Sequence, residues 1–267
     1  MKDYLKSKKT LFIMNVSDIC RICQSKNLIN IISLGEQKNT SIFPKYGNID
    51  SISSYSIDLL LCKDCGLVQL QKITPPDLIY KSGNYGYESN ISNTMRTHLK
   101  NYNSEIQHKK PLNDGDIVLD IGSNDATFLK YYNSNVRKIG VDPTGKQFEK
   151  NYTNIDLLPD YFTKSNFLNK FGNIKCQIVS SICMFYDLPE PVQFAKDIYD
   201  ILDDEGIWTC EQSYLLYMLK TNSIDTICHE HLEYYALTQI ITIADTANLK
   251  IIDVKFNSSN GGSFRIY

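Results

Sequence analysis

The clearest hydrophobic pattern of the chain begins at Ile117, where an apolar run interrupted by Asp120 leads into Gly122 and then into small polar residues. Such a run predicts a buried strand that turns at the glycine, and the apolar spacing that follows predicts a helix. Backbone N–H groups after a turn of this kind point into a crevice at the carboxyl end of the strand. We expect the rest of the chain to be organised around this strand, turn and helix.

Strand-like and helix-like patterns alternate from Gly115 to the C-terminus. This alternation predicts an α/β unit whose mostly parallel sheet is covered on both faces. The predicted strands are residues 117–122, 137–142, 155–158, 176–182, 206–212, 250–256 and 262–267. The predicted helices are residues 125–133, 145–152, 190–202 and 236–248. Asn, Ser and Gly residues between the last two strands predict a hairpin-type turn, so one strand should run antiparallel to the others.

Two Cys-x-x-Cys motifs distinguish the N-terminal part, which is rich in turn-forming residues. Four thiolates at this spacing predict a closed, structural zinc site with the ligands Cys20, Cys23, Cys62 and Cys65. Two unrelated surface dithiols or a redox pair are the alternatives, but redox Cys-x-x-Cys motifs normally occur singly on a βαβ unit. A unit of this size needs the metal for stability.

A connector follows the zinc-binding unit. The Pro75-Pro76 pair interrupts the chain, Tyr80, Tyr85 and Tyr87 come next, and residues from about 90 to 107 have a helical pattern. Aromatic residues before a cofactor domain can form a lid, and packing between the domains is the alternative. We therefore divide the chain into a zinc-binding domain (15–75), a helical connector or lid (76–112) and a cofactor-binding domain (113–267).

Composition narrows the classes of function. The 267 residues carry a formal net charge of −2, so the composition gives no reason to expect a basic surface that binds nucleic acid. No stretch approaches the roughly 18 apolar residues that cross a bilayer, and no signal peptide is recognisable, so we expect a cytoplasmic protein without a membrane partner. The eight cysteines should stay reduced in that compartment. Met14 is a second candidate for the natural start.

The crevice after the first strand of the α/β unit has the residues of a nucleoside site. Asp142 ends the second strand, where it can accept hydrogen bonds from ribose hydroxyls. The turn lacks the further glycines that a pyrophosphate requires, which favours a nucleoside such as S-adenosylmethionine. The candidate cofactor-binding residues are Asp120, Gly122, Asn124, Asp142 and Pro143. A structural turn followed by a capping aspartate is the alternative.

A third group of candidate residues follows the fifth strand, in the segment His229-Glu230-His231. The two histidines are two residues apart, so they do not share a helix face as the metalloprotease pair does. A histidine pair without a functional role is the alternative. Loops that leave the carboxyl ends of parallel strands border the crevice, and an imidazole beside a carboxylate can act as a general base near neutral pH.

Several motifs together resemble one family, the zinc-containing S-adenosylmethionine-dependent C-methyltransferases of deoxysugar biosynthesis. Besides the two Cys-x-x-Cys pairs, they are Asp120-Ile-Gly-Ser-Asn-Asp125, Glu211-Gln-Ser-Tyr214, Cys228-His-Glu-His-Leu-Glu-Tyr-Tyr235 and Gly261-Gly-Ser-Phe-Arg-Ile-Tyr267. The resemblance extends from about residue 17 over nearly the whole chain. It implies a class I methyltransferase with a Rossmann-like sheet and a small N-terminal zinc-binding domain.

The resemblance also implies a reaction. In this family the second histidine of the block, here His231, is the base, and Glu230 assists it. The base removes the C3 proton of a nucleotide-linked 4-keto sugar, and the resulting enolate takes the methyl group of S-adenosylmethionine. Tyr85 or Tyr87 matches the tyrosine motif that closes on substrate and cofactor, and both tyrosines and His229 are assigned to substrate binding.

Three features depart from the family pattern. Ala126 stands where members usually carry Gly, and Phe185 or Tyr186 stands where they often carry His after the fourth strand. The family continues past the last motif with a second α/β domain that helps bind the nucleotide sugar, and a separately encoded C-terminal domain is a candidate partner. Methyl transfer to an oxygen of a small molecule, or cofactor binding without activity of its own, are the alternative functions.

Overall fold

Three sheets organise the residues that the computed structural model describes, which are 15–40, 42, 44–48, 52–82 and 85–267. Met14, the second candidate start, lies outside the described residues. None of the described helices is long and apolar enough to cross a membrane.

The N-terminal part forms two small antiparallel sheets. Its strands are β1 (Asn15–Val16), β2 (Leu28–Lys38), β3 (Ser54–Cys62), β4 (Val68–Leu70) and β5 (Lys72–Ile73). Strand β1 pairs with β5, while β2, β3 and β4 pair in sequence order. Ile57 and Leu59 alternate along β3 and pack with Leu70 in a small core, as expected for a sheet with one buried face.

Helices α1 (Pro76–Tyr80) and α2 (Asn93–Lys109) form the connector. The Ser92 hydroxyl caps α2 by accepting a hydrogen bond from the Met95 N–H at 3.2 Å. Leu99, Tyr102 and Ile106 recur at a spacing of three to four residues and are buried, so this face of α2 packs on the large sheet. The helix predicted for residues 90–107 is confirmed.

The large sheet contains seven strands, as the alternating pattern predicts. They are β6 (Ile117–Ile121), β7 (Arg137–Val141), β8 (Asp156–Leu158), β9 (Cys176–Ile182), β10 (Leu202–Ser213), β12 (Val254–Asn257) and β13 (Ser263–Ile266). Their spatial order is β12-β13-β10-β9-β6-β7-β8. The pairs from β10 to β8 are parallel, and β13 is antiparallel to both of its neighbours. This order and the single reversed strand are those of the class I methyltransferase fold.

Helices cover both faces of this sheet because successive residues of each strand point to opposite sides. Leu119 and Val179 share a core with α4 (Pro191–Ile201), whereas Val118 and Ile178 share a core with α2. The other helices are α3 (Lys164–Phe171), α5 (Leu215–Thr221) and α6 (Leu237–Thr246). Helices α4 and α6 confirm the predictions for 190–202 and 236–248, while α3 and α5 were not predicted.

The helix predicted for residues 125–133 is wrong. The chain forms a short 3₁₀ helix there, Leu129–Tyr131. Asn124 and Ala126 have φ angles of 47° and 64°, which place them in the left-handed region and prevent a right-handed helix from starting at the turn. The predicted helix 145–152 is likewise a 3₁₀ helix, Gly145–Asn151.

One strand joins the two halves of the chain. Strand β11 (Glu233–Tyr234) comes from the C-terminal half, but it pairs antiparallel with β4 in the N-terminal sheet. The four-stranded sheet therefore has the order β11-β4-β3-β2. Because β11 begins two residues after His231, the N-terminal sheet anchors the segment that carries this histidine.

Candidate cofactor and substrate cavity

A cavity of about 920 Å³ lies at the carboxyl ends of β6, β7 and β9, where parallel α/β sheets bind their ligands. Most of the predicted site residues line it: Tyr85, Tyr87, Asp120, Gly122, Asn124, Asp142, Pro143, Glu230 and His231. His229 is not among its lining residues. The structure thus brings the glycine turn and the histidine block to one cavity although they are distant in sequence.

The turn at Gly122 depends on glycine for two reasons. Its φ is +78°, and a Cβ at this position would lie 2.8 Å from Met184 Cγ. The Gly122 N–H donates to the Val141 carbonyl at 2.8 Å, which ties the turn to the neighbouring strand β7. The turn therefore lies close against Met184, another lining residue of the cavity.

Asp142 holds the turn together as well as facing the cavity. Its Oδ2 accepts from the Asn124 N–H at 2.7 Å, and its Oδ1 accepts from both the N–H and the hydroxyl of Thr144 at 2.6 Å. Burial raises the pKa of Asp142, and the hydrogen bonds from Thr144 and Asn124 oppose this rise. These three bonds leave about one of the four acceptor positions of the carboxylate for a ligand.

Asp120 is the second buried carboxyl group beside the turn. Burial raises its pKa to about 7, against the hydrogen bond from Ser180 Oγ, which donates to Oδ1 at 2.6 Å. The negative charge of Asp142 adds to this rise. Asp120 is therefore partly protonated near neutral pH.

Asn124 fastens the connector to the turn. Its side-chain Nδ2 donates to the Tyr87 carbonyl at 3.0 Å, and its Oδ1 accepts from the Ser89 N–H at 3.0 Å. Asp125 Oδ2 accepts from the Asn90 N–H at 2.9 Å. The side chain of Asn124, predicted to bind cofactor, is thus already bonded to the segment that carries Tyr85 and Tyr87.

His231 is held in one tautomer. Its Nδ1 lies 2.7 Å from the Thr226 carbonyl oxygen, which can only accept, so Nδ1 carries the hydrogen and Nε2 is left as an acceptor. The Tyr186 ring packs edge-on against the imidazole, with 4.3 Å between ring centroids. This arrangement fixes the ring plane and leaves a basic nitrogen at the cavity.

His229 lies elsewhere. It is buried, its Nε2 donates to the Tyr55 carbonyl at 3.2 Å, and its ring packs edge-on against the Tyr55 ring. Burial lowers the pKa of His229. The structure places this side chain against strand β3 of the N-terminal sheet, so the substrate contact predicted for it has no support from the cavity.

One residue of the cavity, Asp187, is not identified in the sequence analysis. Asp187 follows the carboxyl end of β9, and the Tyr80 hydroxyl donates to its Oδ2 at 3.1 Å. Its position after the fourth strand of the sheet could have pointed to Asp187, because the sequence analysis names the neighbouring Tyr186 for that position. Nothing in the sequence pairs Asp187 with a tyrosine of the connector.

The four cysteines of the N-terminal motifs come together. Cys20 Sγ lies 3.4 Å from Cys65 Sγ, Cys23 Sγ lies 3.6 Å from Cys62 Sγ, and all four sulfurs lie within 4.8 Å of one another. Zn–S bonds of about 2.3 Å in a tetrahedron place sulfur atoms about 3.8 Å apart. The donor set and its spacing therefore fit one zinc ion with no open position.

Comparison with known proteins supports the metal. Residues 20–80 match a methyltransferase-associated sequence family described as "Putative zinc binding domain". The N-terminal unit binds zinc. The C-methyltransferase NovU of Streptomyces niveus is 25% identical over a match that covers 96% of this chain and 61% of the relative. The chain thus spans about three fifths of the length of this curated relative.

Solved structures of methyltransferases are similar to part of this chain. An S-adenosylmethionine-dependent methyltransferase from Clostridium acetobutylicum has a TM-score of 0.48 and 11% identity, over 64% of this chain and 91% of that chain. The magnesium protoporphyrin IX methyltransferase of Synechocystis, solved with bound S-adenosylmethionine, has a TM-score of 0.47 and 11% identity, over 64% and 77%. The fold assignment itself rests on the strand order of this chain.

Proposed function

We propose that the chain is an S-adenosylmethionine-dependent C-methyltransferase that acts on a nucleotide-linked 4-keto deoxysugar. One observation carries the proposal: His231, with Nε2 available to accept a proton, lines the same cavity as the Gly122 turn. The identity to a C-methyltransferase over 96% of the chain supports the reaction class.

The glycine turn has the features of a nucleoside site. Asp120, Gly122, Asn124, Asp142 and Pro143 would hold the cofactor, with the free acceptor position of Asp142 directed to a ribose hydroxyl. When bound there, S-adenosylmethionine supplies the methyl group. The segment that carries Tyr87 and Ser89 would cover the bound cofactor, because Asn124 bonds the backbone of these two residues to the turn.

The remaining part of the cavity suits a keto sugar. A volume of about 920 Å³ is near the top of the roughly 300–1,000 Å³ range of ligand pockets, so it offers room for more than a nucleoside. Tyr80 and Tyr85, whose ring centroids are 5.2 Å apart, present aromatic surface of the kind that packs on sugar rings.

His231 is suited to remove a proton next to a carbonyl. The Thr226 carbonyl holds the Nδ1 hydrogen, so Nε2 takes the C3 proton, and the electron pair of the broken C–H bond moves toward the 4-oxygen as an enolate. Glu230, which lines the same cavity, would assist His231. C3 then carries the electron density that accepts a methyl group.

Exchange of the C3 hydrogen tests this function. We expect the chain to exchange the C3 hydrogen of thymidine-diphosphate-linked 4-keto-6-deoxyglucose with heavy water in the absence of methyl donor. His231→Asn should slow exchange and turnover by roughly 100-fold or more, while calorimetric titration shows unchanged affinity for S-adenosylmethionine.

The matched control is His108→Asn, because His108 is exposed on α2 and does not line the cavity. Undiminished exchange in His231→Asn would assign the base to another residue. Methylation without any C3 exchange would instead favour transfer to a sugar oxygen.

A further inference from the structure

Asp187 is an acidic group of the cavity that the proposed reaction does not yet use. It ends the 3₁₀ helix Phe185–Asp187, which follows β9, and it lines the cavity together with Glu230 and His231. Its Oδ2 accepts a hydrogen bond from the Tyr80 hydroxyl at 3.1 Å. Its Oδ1 is buried and has no hydrogen-bond partner among the described residues.

The surroundings of Asp187 favour its uncharged form. Burial raises the pKa of Asp187 well above its ordinary value, and the negative charge of Glu230 adds to this rise. The hydrogen bond from Tyr80 offsets only part of it. No described cation lies within 4 Å of its carboxyl oxygens, although the structure forms such pairs elsewhere. The titratable groups that act on it are Tyr80, Tyr85, Cys183, Tyr186, Cys228, Glu230, His231 and Tyr234.

The position of the proton follows from these contacts. Because Oδ2 already accepts from Tyr80, the proton of the uncharged acid resides on Oδ1. This makes Oδ1 a hydrogen-bond donor that lacks an acceptor in the described part of the chain. A buried donor without an acceptor destabilises the folded state, and a bound ligand with a carbonyl oxygen would remove this cost.

We infer that Asp187 is a catalytic hydrogen-bond donor, which binds the carbonyl oxygen of the substrate and stabilises the negative charge that develops there when His231 removes the proton. This inference rests on the proposed function and adds the group that stabilises the enolate. The C–H bond electrons move to the carbonyl oxygen, the proton goes to His231 Nε2, and the Asp187 proton remains shared between Oδ1 and the enolate oxygen. No further reactant is needed.

Two substitutions separate a donor from a merely structural side chain. Asp187→Asn is uncharged and can still donate, whereas Asp187→Leu has a similar shape and cannot. We expect Asn to retain C3 exchange of the thymidine-diphosphate-linked 4-keto-6-deoxyglucose probe within about 10-fold, and Leu to lose roughly 100- to 1,000-fold, as for other oxyanion donors. Affinity for S-adenosylmethionine should be unchanged in both.

The pH profile gives a second readout. The rate of C3 exchange by the parent chain should fall at high pH as Asp187 ionises. This fall in rate should be absent in Asp187→Asn. Tyr80→Phe should move the fall to higher pH, because the hydrogen bond from Tyr80 favours the ionised carboxylate. Asp204→Asn, an exposed carboxyl group outside the cavity, is the matched control.

Several outcomes would overturn the inference. One is C3 exchange at the parent rate in Asp187→Leu. Another is an equal loss of C3 exchange in Asp187→Asn and Asp187→Leu, with the pH profile of the parent chain retained. The third is a rate of C3 exchange by the parent chain that increases as Asp187 ionises. A parent chain that neither exchanges nor methylates the probe contradicts the proposed function itself, and Asp187 then has no enolate to stabilise.

Discussion

Two buried carboxyl groups beside the glycine turn, Asp120 and Asp142, make hydrogen bonds within the fold and also line the cavity. Asp142 was predicted from its place at the end of the second strand, and the structure shows three protein hydrogen bonds to it that the sequence did not indicate. Asp120, one strand away, is buried against Ser180. At this scale, residue type and strand position were predictable. The hydrogen bond from the Asn124 N–H to Asp142 was not, because it depends on the left-handed conformation of Asn124.

Asp120 should make the stability of the chain depend on pH. Its pKa is raised from 3.8 to about 7, so between these values the folded state holds a proton that the unfolded state has lost. The free energy of unfolding should therefore fall as pH rises from about 4 to about 7, by at most about 1.4 kcal/mol per pH unit from this group. In Asp120→Asn this contribution should be absent.

Urea unfolding at pH 5 and pH 7 checks this prediction. The quantity to compare is the difference between the two pH values in the parent and in Asp120→Asn, because other groups also titrate. The same pH dependence in both proteins would mean that Asp120 is ionised throughout this range.

At the scale of elements, the first Cys-x-x-Cys turn supports the histidine block. Arg21 lies between two zinc ligands, and its guanidinium donates to the carbonyls of Leu70 and Leu232 at 2.8 and 3.2 Å. Its Nε lies 3.4 Å from Glu233 Oε1, and both side chains are almost fully buried. The pairing of β11 with β4 was not predictable, because a two-residue strand leaves no alternating pattern.

Removing Arg21 should leave a buried carboxyl group without its partner. We expect Arg21→Met to lower the free energy of unfolding by about 3 kcal/mol or more, and Glu233→Gln in the same chain to restore much of this loss. Denaturant unfolding of the two variants measures both effects. The matched control is Arg137→Met, which breaks an exposed pair with Asp156 and should cost less than about 1 kcal/mol. Equal costs for the two arginines would contradict the prediction.

For the whole molecule, the parallel sheet and its reversed strand were predicted from hydrophobic runs and turn residues. Each of the seven predicted strands has a counterpart, although the one predicted for 250–256 is observed at Val254–Asn257. The connections between the halves were not predictable, since they join residues far apart, such as Tyr80 with Asp187 and Arg21 with Leu232. Sequence periodicity reports which face of an element is buried but not which distant element covers it.

Zinc removal should therefore affect more than the N-terminal sheet. With a chelator, or in Cys62→Ser, we expect faster hydrogen exchange at residues 20–70 and also at residues 228–236, because β11 and Arg21 connect the two regions. Cys228→Ser, a cysteine outside the metal cluster, is the control and should retain one zinc per chain. Loosening confined to residues 20–70 would show that the histidine block is stable without the metal.

The pairing of β11 with β4 also sets an order of events during synthesis on the ribosome. The hydrogen bond from Arg21 to the Leu232 carbonyl spans 211 residues, so the N-terminal sheet cannot be completed until most of the chain has emerged. Until then, the edge of β4 that pairs with β11 remains open to chaperones and to pairing with other chains. A nascent chain arrested before residue 233 should therefore be far more sensitive to protease in its N-terminal sheet than the 267-residue chain released from the ribosome.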